Sequence, residues 1–148
     1  MHLLTKSKYS VGLSCPRYLW LMFNDLDKIP EYNPISDFRF KQGNIIGYLA
    51  RKLYPKGILL PEDKDLYEEN IKQTKEAINN RQLCFEPGVE VNNLFARADI
   101  LIPTNDNEWD LIEVKSAKKV SDKYLHDLSF QKYVYELAGI KINQCKLM

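Results

Sequence analysis

Two acids and a lysine carry the clearest chemistry in this sequence. Glu113 and Lys115 stand two positions apart in WDLIEVKSA, residues 109–117, a short apolar run that reads as a buried strand. Side chains two apart on a strand project to one face. The run therefore aims an acid and a base together into apolar surroundings. Upstream, the polar tract TNDNE, residues 104–108, reads as a turn after another apolar run. With that turn centred on Asp106, Asp99 falls opposite Glu113 across an antiparallel ladder, where facing Cβ atoms lie about 4.5–5.5 Å apart. Two carboxylates that close repel unless something positive lies between them. With a lysine in line they make a site for a hard divalent cation, since Mg²⁺ takes oxygen ligands, commonly one or two carboxylates plus waters. Lys115 beside such an ion would stabilise a charged nucleophile or a phosphate. The structural alternative is an ion pair of Glu113 with Lys115 on an exposed sheet face, worth little, with Asp99 a polar strand-end residue.

A second pattern lies downstream. Asp127, Gln131 and Tyr135 are each four apart, which makes one ridge on a helix. Leu128, Phe130, Tyr133, Val134 and Leu137 supply apolar surroundings, and a glutamine set among them needs hydrogen-bond partners. Asp127 reads equally as an exposed acid, and Tyr135 as a core tyrosine.

The elements that must hold these residues follow from periodicity. Residues 7–24 form helix interrupted at Cys15-Pro16, with a second short helix starting at Pro16. A loop with two prolines, residues 25–34, leads to an amphipathic helix over 36–54. Ser36 is its N-cap, and Phe38, Ile45, Ile46, Leu49 and Leu53 form its apolar stripe. Gly43 and Gly47 lie on one face of it, and their cost to helix propensity implies close backbone packing there. Residues 64–80 form a charged helix with Leu66, Tyr67, Ile71, Thr74 and Ile78 inward. Three strands follow at 83–87, 89–103 and 108–116, then a helix over 121–138 closed by Gly139 and a last strand over 140–147. The order predicts one α/β domain over 1–148 with a central mixed sheet flanked by helices and a helical N-terminal region. The final residues still read as strand, so the chain is expected to be a piece of a longer protein.

Bulk composition narrows the classes. The chain has 148 residues and a formal net charge of +1, so bulk charge gives no sign of nucleic acid, and phosphate binding would need a local basic patch. No apolar run reaches membrane-span length and no secretory h-region is present, so a cytoplasmic setting is expected. Cys15, Cys84 and Cys145 are few and scattered, which fits reduced thiols rather than a disulfide framework.

Taken together, Asp99 in FARADIL, Glu113-Val114-Lys115 and Gln131-Lys-Tyr-Val-Tyr135 resemble the PD-(D/E)XK nuclease superfamily in its RecB-like branch. The stretches SVGLSCPRYLWL and QGNIIGYLA extend the likeness over nearly the whole chain. It looks closest to an uncharacterised bacterial family carrying this module ahead of a second domain, and is similar to the CRISPR adaptation-stage exonucleases. The resemblance implies a restriction-endonuclease-like core and a magnesium- or manganese-dependent nuclease cleaving DNA phosphodiester bonds through a metal-activated water. It implies that Asp99, Glu113 and the carbonyl of Val114 hold Mg²⁺ or Mn²⁺ and that Lys115 orients the water or offsets phosphate charge. Gln131 and Tyr135 would fix the site and reach the DNA backbone, and Ser116 would orient Lys115 or bond phosphate.

Two departures stand out. The related exonucleases carry a metal-binding histidine in a G-x-x-x-H pattern, but the matching stretch here is Gly43-Asn-Ile-Ile-Gly47; Glu90 is a candidate substitute ligand. An iron–sulfur cluster, which in some relatives joins the two chain ends, needs four thiolates, and only Cys15 and Cys145 are in reach; none is expected. For nucleic acid the candidates are Lys115, Lys118 and Lys119 in KSAKK, then Lys123, Lys132, Arg97 and Arg51, contacting the backbone without base readout. His126 reads as a surface residue. The rival class is a nuclease-fold module that binds nucleic acid or partner proteins with little or no turnover.

Overall fold

The computed structural model describes residues 3–29, 34–104 and 107–148. His2 and Asp106 fall outside them, as do the side chains of Ser36 and Phe38. The chain is α/β, with two mixed sheets and five α-helices among the described residues. Strand β1 (Leu4–Thr5) leads into helix α1 (Lys6–Ser14), whose N-terminus is capped by the Thr5 hydroxyl accepting from the Lys8 N–H at 3.3 Å. Pro16 opens α2 (Pro16–Asn24), where its fixed φ and missing N–H cost nothing. Helix α3 (Pro34–Lys52) follows, then β2 (Ile58–Leu59), α4 (Tyr67–Asn79) and β3 (Cys84–Phe85). Next come β4 (Gly88–Val91), β5 (Leu94–Arg97), β6 (Ile100–Pro103), β7 (Trp109–Glu113), α5 (Asp122–Leu137) and β8 (Ile142–Leu147). Gly139 closes α5 at φ 86, the left-handed conformation glycine supplies without strain.

The five-stranded sheet runs β2-β3-β6-β7-β8, and the three-stranded sheet runs β1-β5-β4. Alternation along β7 sorts the core. Trp109 and Leu111 join Leu101, Leu128, Val134 and Tyr135 under α5, while Ile112 joins Ile100, Phe85 and Ala50 on the α3 side. Glu113 continues the Trp109–Leu111 face and therefore also looks toward α5.

Four expectations need correction. The strand expected over 89–103 is three strands. Asn92 and Asn93 both adopt positive φ, at 49° and 61°, the signature of a two-residue hairpin turn; a second break falls at Ala98-Asp99. The expected central mixed sheet is the five-stranded one, and these breaks put β4 and β5 in a second, three-stranded sheet. The stripe on α3 does not face a core: Ile45, Leu49 and Leu53 are exposed, and Ala50 is the buried apolar residue there. Nor is there close packing at Gly43 or Gly47, since a Cβ at either would meet nothing within 4 Å. On α4 Thr74 is buried and Ile78 packs against the core as expected, joined by buried Asn70 and Ala77, but Leu66 is exposed. Among the described residues no helix is long and apolar enough to cross a membrane.

Candidate active site

The β6–β7 ladder pairs Ile100 with Ile112 and Leu101 with Leu111. One step further in this register sets Asp99 opposite Glu113, as the hairpin spacing requires. On its other side, β6 pairs with β3 through Phe85 and Ile100, and β5 pairs with β4 through Arg97 and Gly88. These two ladders share one register. Between them the Glu86 N–H donates to the Asp99 carbonyl at 3.1 Å and the Ala98 N–H to the Pro87 carbonyl at 3.2 Å. The chain is thus one long hairpin bent where one sheet gives way to the other. Glu86 sits there at φ 59, and Pro87 has no N–H to give. Asp99 occupies the bend, between β3 and β7.

Glu113 is 1 % exposed and fully engaged. Its Oε1 accepts from Lys6 Nζ at 2.6 Å and lies 2.7 Å from Lys115 Nζ; its Oε2 accepts from Gln131 Nε2 at 2.6 Å. Lys115 also donates to Asp127 Oδ2 at 3.0 Å, and its ammonium lies 5.3 Å from the centre of the Tyr124 ring. Asp99 Oδ2 accepts from the Val114 N–H at 2.5 Å. The ion pair of Glu113 with Lys115 therefore joins a buried acid to a half-buried lysine and is not the exposed pair of the structural alternative.

The ridge on α5 now has a physical meaning. Asp127, Gln131 and Tyr135 are all buried, and each supports a different part of the site. Asp127 anchors Lys115, and Gln131 anchors Glu113. The Tyr135 hydroxyl donates to the Pro87 carbonyl and accepts from the Ala98 N–H, clamping the bend that carries Asp99. Tyr135 and Gln131 are 0 % exposed, so neither meets a DNA backbone in this arrangement. The Gln131 Oε1 is buried with no hydrogen-bond partner.

Charge follows burial and neighbours. Burial and then the nearby Glu113 charge push the Asp99 carboxyl up to about 6. Burial also disfavours charge on Glu113, but Lys6 and Lys115 outweigh it and hold that carboxyl below its ordinary range. Glu86 is pushed up to about 7, first by burial and next by Asp99. Burial disfavours the charge on Lys115, but Glu113 and Asp127 beside it outweigh burial and raise its ammonium. The pair of strand-end acids is thus split, one firmly ionised and one close to its titration point.

The donor set is hard oxygen. Among the described residues no group of three His, Cys, Asp or Glu side chains could hold a metal ion. An ion here would rest on Asp99, Glu113 and the Val114 carbonyl with water completing its shell, which fits the habit of Mg²⁺. Asp99, Glu113 and Asp127 outnumber the two ammonium groups among them, so the cluster keeps a net attraction for a cation. Glu90, the candidate substitute ligand, does not join it; on β4 it accepts from the Tyr67 hydroxyl at 2.7 Å.

A cleft of about 860 Å³ opens beside the acids, lined by Lys6, Ser10, Tyr18, Lys115, Lys123 and Tyr124 among others. Ser116, Lys118 and Lys119 are exposed on the segment between β7 and α5 and do not line this cleft. Arg51 pairs with Glu62, Lys132 with Glu136, and Arg97 with Glu86. Of the basic candidates, Lys115 and Lys123 line the cleft, joined by Lys6. Lys6 escaped the sequence reading because its partner lies 107 positions away; the one signal was a lysine directly after the helix cap Thr5. Cys15 also lines the cleft, while Cys145 lies on β8, and all three thiols are free. His126 is exposed.

No family model, curated protein or solved structure matches the chain.

Proposed function

We propose that this chain is a metal-dependent nuclease module of the RecB-like PD-(D/E)XK type, with a restriction-endonuclease-like core, acting on DNA in the cytoplasm. The observation that carries the reading is the convergence of Asp99, Glu113 and Lys115 at one bend, each supported by one residue of the Asp127–Gln131–Tyr135 ridge. An ion pair of merely structural use does not need a second carboxylate facing it across the ladder, held by the Val114 N–H. Mg²⁺ or Mn²⁺ bound to Asp99, Glu113 and the Val114 carbonyl would supply a water acidic enough to attack a phosphodiester at neutral pH. The chain's own residues do the rest. Asp127 keeps Lys115 pointed at the acid pair, where its ammonium offsets charge building on the phosphate. Gln131 fixes the rotamer of Glu113. Lys123 and the serines of α1 offer contacts to phosphate without reading bases.

One observation favours a second reading. Glu113 already accepts from two ammonium groups and one amide, and Gly47 cannot ligate. A module of this kind could bind nucleic acid or a partner protein without turnover. Cleavage of labelled linear and circular DNA, single- and double-stranded, with Mn²⁺ or Mg²⁺ separates the two. The nuclease reading expects metal-dependent cleavage that is lost in a Glu113→Ala, Lys115→Ala double variant. Binding without cleavage by either protein would establish the binding module, and cleavage persisting in the variant would move the activity elsewhere.

A further inference from the structure

The two lysines on Glu113 are not equivalent. Lys115 leaves the same strand end and has a second anchor in Asp127 at 3.0 Å. Lys6 comes from the first turn of α1, and among the described residues Glu113 Oε1, at 2.6 Å, is its one carboxylate partner. Its side chain lines the cleft beside Lys115 and Lys123. A divalent ion bound to Glu113 needs the carboxylate that Lys6 now occupies, and an ammonium and a metal ion repel each other there.

We infer that Lys6 is a substrate-contacting residue of this site, exchanging between Glu113 and a phosphate oxygen of the nucleic acid. The inference rests on the nuclease reading. Displaced from Glu113, the ammonium of Lys6 stays in the cleft on a four-carbon stem, where a phosphodiester would lie. Lys6 then opposes metal binding by the protein alone and favours it once phosphate takes the ammonium. By linkage, metal and DNA strengthen each other's binding through this one side chain. The arrangement keeps the buried carboxylate paired in both conditions, which an unpaired Glu113 would not be.

The test is Mn²⁺ binding to the protein alone, read by the electron paramagnetic resonance of free Mn²⁺, in wild type, Lys6→Met and Lys72→Met. Lys72 is exposed on α4 and controls for loss of a positive charge in general. Lys6→Met is expected to bind Mn²⁺ about tenfold more tightly than the other two, while its affinity for a fluorescent oligonucleotide falls about fivefold, as removal of one solvent-screened phosphate contact does. Lys6→Gln keeps a donor for Glu113 without the charge and gives the same direction if Lys6→Met does not fold. Equal Mn²⁺ affinity in Lys6→Met and wild type, or equal tightening in Lys72→Met, overturns the inference. If wild type still cleaves DNA in that case, the nuclease reading stands alone. Tighter Mn²⁺ and weaker DNA binding in Lys6→Met, with no cleavage by any variant, keeps Lys6 in its role and removes turnover. No Mn²⁺ binding by any variant removes both.

Discussion

Asp99 and Glu113 face each other across one ladder step yet favour different protonation states. Glu113 is held ionised by Lys6 and Lys115, whereas burial and the Glu113 charge press Asp99 toward its neutral form. Replacing each acid by its amide separates these demands. Glu113→Gln leaves two ammonium groups against an uncharged partner, and breaking a buried pair from one side costs about 3–5 kcal/mol. Asp99→Asn keeps an acceptor for the Val114 N–H and removes a disfavoured charge; at pH 8 it is expected to stabilise by about 1 kcal/mol. Urea unfolding of the two variants at pH 8 checks the pair of signs. Equal losses in both would mean that Asp99, like Glu113, is held by positive charge. If the nuclease reading is right, both variants lose cleavage although only one loses stability.

Helix α5 does more than cover the sheet, because its buried ridge reaches three different pieces of the site. Tyr135→Phe removes the hydroxyl shared by the Pro87 carbonyl and the Ala98 N–H, leaving buried groups unpaired at a cost of about 1–3 kcal/mol. Because that hydroxyl clamps the bend under Asp99, cleavage is expected to fall as well. Lys132→Ala, on the same helix but half-exposed, should change neither; thermal unfolding and cleavage of both variants decide it. Glycines give a second contrast between elements. A Cβ at Gly88 would lie 2.2 Å from Asn70 Oδ1 and 3.0 Å from the Phe95 ring, so Gly88→Ala should cost about 1–3 kcal/mol by overpacking. At Gly47 a Cβ meets nothing, and Gly47→Ala should add about 0.5–1 kcal/mol through helix propensity alone. The same contrast marks what could be read from sequence. The β6–β7 register was legible because period-two alternation and the turn tract fix it locally, and so was the ridge, which is a helical repeat. The Asn92-Asn93 turn was signalled by its residue types, but the apolar residues on both sides carried the strand straight through it. Two-residue strands such as β1 and β2 have too little pattern to detect, and the partnership of Lys6 with Glu113 exists only once β1 pairs in parallel with β5. The exposure of the α3 stripe is equally a tertiary fact: amphipathic spacing says that a face is apolar, not that anything covers it.

For the molecule as a whole, a formal net charge of +1 leaves little global repulsion, so its response to pH comes from a few shifted carboxyls. Glu86, at about 7, and Asp99, at about 6, titrate above the ordinary values of 4.5 and 3.8. Between pH 8 and pH 5 the folded chain takes up protons on these two groups while the unfolded chain takes up few. Stability therefore rises as pH falls through 7 and 6, by on the order of 1–3 kcal/mol in total. Below that window the balance reverses. Glu113 and Asp110 are held below their ordinary values, chiefly by lysine neighbours working against burial, and the stability they contribute above those values is lost as pH falls further. The chain should be most stable near pH 5, with a midpoint several degrees above that at pH 8. A Glu86→Gln, Asp99→Asn double variant should flatten the limb between pH 5 and 8 and leave the acid limb intact. Thermal scans across that range in both proteins check this, and a wild-type midpoint that falls steadily from pH 8 to pH 5 would refute it. Metal adds a further sign. Since a divalent ion takes Asp99 only in its charged form, binding releases protons, and the rise in midpoint caused by Mn²⁺ should be largest at pH 8, where the protein alone is weakest.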